Sequence, residues 1–207
     1  MIGILIFLAL SWALLFFVEK ESLLALGFTP LLLRLKQFGF GFLISSVLCI
    51  VVTLALSALK AETWILSDQF SIERLFSSVW YDLKSVFTEE LIYRGAILYI
   101  LIKKLCHKKA ILISAVAFGI YHWFSFGVIG SLIPMIYVFL LTGLMGLVWA
   151  YAFAKTKSIM LPLGLHLGWN VIVNGLFSKG PLGEMTLVAS GGVESEGILM
   201  ILGLHWS

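Results

Sequence analysis

The chain has 207 residues, 61% of them hydrophobic and only 12% charged, with a formal net charge of +3 and a mean hydropathy of +1.08. A soluble domain needs more charge to wet its surface, and a positive excess this small gives no grounds for a nucleic-acid partner. The composition predicts an all-α fold, a polytopic transmembrane bundle of six to seven membrane helices plus interfacial segments. It forms a single membrane-embedded domain over residues 1–207, with the lipid bilayer as its surroundings.

In chain order, apolar runs bounded by charges predict spans near residues 2–18, 38–59, 86–102, 110–129, 132–154 and 159–177. The first lacks a basic leader and a small-residue cleavage site, and Glu19, Lys20 and Glu21 follow it at once. It therefore reads as an uncleaved span and not as a signal peptide. The following ESLLALGFTPLLLRLKQ mixes Pro30, Arg34 and Lys36 with leucines and is expected to lie in the interface. Residues 61–84, with Trp64, Trp80 and Tyr81 among charges, read as a second interfacial connector. A glycine-rich loop is expected after Phe177, and the closing GILMILGLHW is too short to cross a bilayer unaided. Cys49 and Cys106 set up no disulfide framework.

With six spans, Lys20, Arg34, Lys36, Lys103, Lys104, Lys108, Lys109, Lys155 and Lys157 collect on one side. Only Lys60, Arg74, Lys84 and Lys179 fall on the other. The first side is expected to be cytoplasmic, which places Glu89, at the start of the third span, toward the opposite face.

Chemistry concentrates in SVFTEELIYRGAIL, residues 85–98, where two glutamates and an arginine interrupt an apolar run. Nine of the eleven acidic residues read as lying in connectors or tails, which leaves Glu89 and Glu90 as the intramembrane pair. A charge at the centre of a membrane helix costs about 2.5–3.5 kcal/mol on insertion scales, so an offsetting partner is required. Glu90 and Arg94 are four apart and share a helical face, the spacing of a structural ion pair. Glu89 points about 100° away from Glu90 and is left available for chemistry. The alternative is a purely structural cluster of all three charges near the interface.

In the next span, FGIYH places His122 four residues after Phe118; in the sixth, HLGWN places His166 four before Asn170. Each pair shares a face, while Gly164 and Gly168 lie roughly opposite, where small residues let a neighbouring helix approach. Either pair alone reads as ordinary interhelical hydrogen bonding. Together, one carboxylate, two imidazoles and a carboxamide from three helices are the groups that amide hydrolysis needs: a base to activate water and donors to hold an oxyanion. A serine in G-x-S-G, an aspartate in G-x-G-D and the zinc motif H-E-x-x-H are all missing. Asp82, beside Tyr81, lacks the second aspartate of a dyad, and His107 and His205 read as edge and tail residues.

EELIYR (89–94), FGIYH (118–122) and HLGWN (166–170) in this order resemble the motifs of the CAAX prenyl protease and bacteriocin-processing family, the Abi or type II CAAX endopeptidases. The resemblance runs from about residue 80 to 180 and implies a protease core there. It further implies an integral protein of the bacterial cytoplasmic membrane that cleaves a membrane-associated peptide or protein substrate. Glu89, His122, His166 and Asn170 are then the catalytic residues, with Glu90 and Arg94 as the structural pair. Two mechanisms fit. Either Glu89 with His122 activates water while His166 and Asn170 hold the oxyanion, with no cofactor, or Glu89, His122 and His166 bind Zn2+. The first is the expectation, because an asparagine is a natural oxyanion donor and a poor zinc ligand. Two other readings remain: a proton- or ion-coupled transporter, and a non-catalytic immunity or scaffold protein of the same fold.

Overall fold

The computed structural model describes residues 2–192, and within them seven α-helices and one two-stranded sheet. Helix α1 (Ile2–Leu14) continues into a π-helical turn, Leu15–Glu19, and a 3-10 turn follows at Leu23–Leu26. Then come α2 (Leu31–Leu59), β1 (Glu62–Leu66), α3 (Ile72–Tyr93), α4 (Ala96–Lys104), α5 (His107–Ser125) and α6 (Leu132–Thr156). Helix α7 (Met160–Asn170) runs on as a π-helical segment, Val171–Leu176, before β2 (Leu187–Gly191).

Helix α2 shows the polarity expected of a chain surrounded by lipid. Its buried face is small or polar: Gly41, Ser45, Ser46, Cys49, Thr53 and Ser57. Leu43, Val47 and Leu54 are exposed instead. In water this arrangement would be inverted, whereas among lipid tails small residues let helices meet. The partner is α7. A Cβ on Gly164 would overlap the Phe38 carbonyl, one on Gly168 that of Phe42, and one on Gly41 would lie 2.7 Å from the Leu161 carbonyl oxygen. The Ser46 hydroxyl closes the contact by donating to the Gly168 carbonyl at 3.2 Å. Leu15, Leu26, Leu91, Leu98, Phe153 and Ile159 form the main apolar core, drawn from both halves of the chain.

Charges gather at two ends. Lys103 and Lys104, at the end of α4, pair with Glu19 and Glu21 after α1. The Arg34 guanidinium, in the first turn of α2, donates to the Thr156 carbonyl at the end of α6. At the other end β1 and β2 pair antiparallel, Trp64 opposite Ala189, and Arg74 near the start of α3 donates to the Glu184 carbonyl.

The structure corrects several expectations. The segment from residue 31 is helical from its start, so the interfacial stretch before the second span shrinks to residues 20–30. Residues 61–84 are not a connector, since α3 begins at Ile72. The Ser71 hydroxyl caps the helix by accepting from the Arg74 amide at 3.2 Å, with Glu73 in the first turn. The span over residues 86–102 is broken at Arg94 and Gly95. There the chain turns so sharply that a Cβ on Gly95 would run into the Leu91 carbonyl. Asp82 is buried in α3 and is not a connector acid, and the loop after Phe177 contains a strand. GILMILGLHW and His205 lie outside the described residues.

Among the described residues, two helices, Leu31–Leu59 and Leu132–Thr156, are long and apolar enough to cross a membrane by themselves. The others are shorter than a full span or, like α3, carry several charges.

Because α2 and α7 meet backbone to backbone, Gly168→Leu is expected to force them apart and lower stability by about 1–3 kcal/mol or more. Gly39→Ala, at a position with open space around it, is the control. Thermal unfolding of both variants in detergent micelles checks this, with a large loss expected only for the first.

Candidate active site

Two of the three charges in EELIYR are sealed. Glu90 and Arg94 are both 0% exposed, and the Arg94 Nη1 donates to Glu90 Oε1 at 3.1 Å. The four-residue spacing on α3 brings them together, and the turn at Gly95 ends the helix just beyond. The guanidinium lies over the Phe118 ring at 4.2 Å and near that of Trp149 at 5.2 Å. Its Nη2 donates to the Gly146 carbonyl at 3.2 Å. Gly146 leaves room for it, because a Cβ there would stand 3.1 Å from that same nitrogen. Arg94 thus ties α3 to α5 through Phe118 and to α6 through Gly146 and Trp149.

Glu90 has a second task. Its Oε1 also lies 2.9 Å from His166 Nδ1, on α7. A carboxylate paired with a guanidinium only accepts, so Nδ1 must carry the proton and donate. The ring stacks on the Trp149 indole, with centroids 3.9 Å apart and planes 19° from parallel. Held on one nitrogen and one face, His166 aims Nε2 at Glu89, whose Oε2 is 3.8 Å away. The other oxygen of Glu89 accepts from the Ser85 hydroxyl at 3.1 Å. Glu89 and Glu90 therefore address the two nitrogens of one imidazole.

His122 is brought to the same aromatic floor. Its ring lies 4.4 Å from that of Phe118, which His166 meets edge-on at 5.9 Å. The Phe118 carbonyl, 2.8 Å from His122 Nδ1, accepts a hydrogen bond from the Nδ1–H, which leaves Nε2 bare. Asn170 lies one turn beyond His166, half-buried, and its side chain makes no hydrogen bond among the described residues. Glu89 also lines a cleft of about 290 Å³ along α3, with Tyr81, Lys84 and Thr88 on its walls and Tyr121 of α5 opposite. A substrate could reach the carboxylate through this cleft. Glu89 does not begin its helix: it lies 17 residues after Ile72, about 25 Å along α3.

The zinc alternative asks for Glu89, His122 and His166 as ligands. Among the described residues no group of three or more His, Cys, Asp or Glu side chains is placed to hold a metal ion. With His166 Nδ1 held by Glu90 and His122 Nδ1 by a backbone carbonyl, Nε2 is the ring nitrogen that each would offer to a metal. Sequence reasoning missed the Gly146 and Trp149 walls of the Arg94 cage, the second role of Glu90, and a part-buried pair between α3 and the π-helical extension of α7, Asp82 with Asn174. The one available signal was spacing, with Asp82 two turns before Glu89 and Asn174 one turn after Asn170.

Residues 71–172 match the family model described as Type II CAAX prenyl endopeptidase Rce1-like. The matched stretch begins at the cap of α3, ends just past α7, and contains Glu89, Glu90, Arg94, His122, His166 and Asn170. Comparison with the curated proteins and with the solved structures finds no match.

Removing the guanidinium leaves Glu90 charged and unpaired in a sealed site, so Arg94→Ala is expected to cost about 3–5 kcal/mol of stability. Unfolding of the purified variant in detergent measures this. A variant as stable as the parent, impaired only in turnover, would contradict the structural assignment.

Proposed function

We infer that this chain, which belongs to the type II CAAX prenyl endopeptidase Rce1-like family of membrane proteins, hydrolyses a peptide bond of a membrane-associated peptide or protein within the bilayer. The observation that carries the reading is Glu89. Its carboxylate lies at once on an open cleft and 3.8 Å from an imidazole whose other nitrogen is fixed by Glu90. A structural ion pair has no need of either feature. The bundle that holds it consists of six membrane-crossing units: α1 with its π-helical turn, α2, α3 with α4, α5, α6, and α7 with its π-helical extension. The cytoplasmic membrane of a bacterium is the setting the reading takes.

In the proposed reaction a water in the cleft loses its proton to Glu89 and attacks the scissile carbonyl carbon. His122, with Nδ1 held by Phe118, turns Nε2 toward the same water and orients it. The Asn170 carboxamide donates to the oxyanion as it forms. His166, with its proton on Nδ1, has a bare Nε2 that only accepts, and it takes a hydrogen bond from Glu89 once that carboxyl holds the water's proton. The carbon–nitrogen bond then breaks, the proton on Glu89 passes to the departing amine, and an acid and an amine leave. No step requires a metal. Glu90 and Arg94 take no part in bond making; they hold His166 in one tautomer.

Glu89→Gln keeps the shape of the side chain and removes the base, so turnover is expected to fall by about 10²–10⁴-fold. Asn170→Ala is expected to cost about 10²–10³-fold, mainly in kcat. Both are measured as cleavage of a library of lipid-anchored peptides by purified protein in proteoliposomes. Turnover unchanged in Glu89→Gln would sink the reading. Chelators are expected to leave the parent protein active, whereas chelator inactivation reversed by zinc would establish the metal mechanism instead.

A further inference from the structure

A second contact, part-buried, joins α3 to the π-helical extension of α7. Asp82, on α3, is 1% exposed, and its Oδ1 accepts from the Asn174 carboxamide at 2.7 Å. Its other oxygen is buried and bonds to nothing among the described residues, so Asn174 is the hydrogen-bond partner this carboxylate has there. Asn174 is gripped from the far side as well. The loop after α7 crosses it so closely that a Cβ on Gly180 would come within 2.5 Å of its Cγ.

The register gives this contact its meaning. Glu90 meets His166, and Asp82 meets Asn174. A step of eight residues along α3 is thus answered by a step of eight in the opposite direction along α7 and its extension. Asn170 falls halfway, at the level of Val86, between two polar contacts that pin the strip on either side of it. The helix also changes its winding at this point, because the π-helical segment starts at Val171, directly after Asn170. A π-turn is rare and needs outside support to persist in place of an ordinary α-turn, and such turns recur at functional sites.

The geometry points to Asp82 and Asn174 as positioning residues for Asn170: their hydrogen bond holds the π-turn wound so that the Asn170 carboxamide stays at the level of the cleft. This rests on the reading of Asn170 as oxyanion donor and extends it to two residues that touch neither water nor substrate. Without the bond the turn relaxes toward α-helical winding and the carboxamide swings away. A displacement of about 1 Å at a catalytic group can cost about 100-fold in rate.

A double-mutant cycle in proteoliposomes, with a cleaved lipid-anchored peptide, tests this. Asp82→Ala and Asn174→Ala are each expected to lower kcat by about 10–100-fold with little change in KM. Asp82→Asn keeps the acceptor oxygen and is expected to recover most of the loss. In the Asn170→Ala background, Asp82→Ala is expected to cost less than about twofold more, since nothing remains to be positioned. An equal fold-loss in both backgrounds would overturn the positioning role and leave the oxyanion reading intact. Full turnover in Asn170→Ala would overturn both. If Asp82→Ala does not fold, Asn174→Ala completes the same cycle. A failure of Asp82→Asn to recover turnover would show that the charge acts and not the bond, and would equally overturn the proposal.

Discussion

A guanidinium and a carboxylate with no solvent exposure set the terms for the rest of this molecule. Isolated, either charge would cost several kcal/mol in so apolar a surrounding, and the pair holds only because further contacts meet it. Glu90 Oε1 accepts from both Arg94 and His166. Arg94 reaches a backbone carbonyl on α6 and lies over the rings of Phe118 and Trp149. Four helices are held by these contacts: α3, α5 and α7 carry the candidate site side chains, and α6 supplies the Trp149 ring that His166 stacks on. Satisfying a buried ion pair and orienting an imidazole are here one arrangement.

The bundle around this centre is organised by small groups. Gly164 and Gly168 admit α2 against one face of α7, which leaves the other face, with His166 and Asn170, to α3. Along that second interface the contacts are polar and periodic. Glu90 meets His166, Asp82 meets Asn174, and Val86 fills the space between. Apolar side chains that would form the core of a soluble protein are spread over the outside of α2 and α6. Specific polar pairs and backbone proximity, with lipid outside, therefore take over the part that hydrophobic burial plays in water.

Much of this was legible in the sequence wherever the physics is local. The Glu90–Arg94 pair follows from a spacing of four, and the division of α7 into a glycine face and a His/Asn face follows from helical periodicity. What crosses the chain could not be read. Nothing near Glu90 announces that it also holds His166, 76 residues away. The start of α3 was hidden because Arg74, Asp82 and Lys84 look like interfacial residues until Glu184 and Asn174 appear as the partners of the first two. The break at Gly95 lies within an apolar run whose periodicity continues across it. β1 and β2 pair across more than a hundred residues, and β2 was concealed in a glycine-rich stretch that reads as loop.

The central claim is that the sealed pair fixes His166 with a proton on Nδ1 and a free Nε2 facing Glu89. Nitrogen-15 NMR of the histidine-labelled protein in bicelles, with His166 assigned by its absence in His166→Gln, reads this directly. The account predicts an Nδ1 signal in the protonated range that persists in Glu89→Gln and is lost in Glu90→Ala. A bare Nδ1, or averaged shifts of a freely exchanging ring that ignore both substitutions, would contradict it.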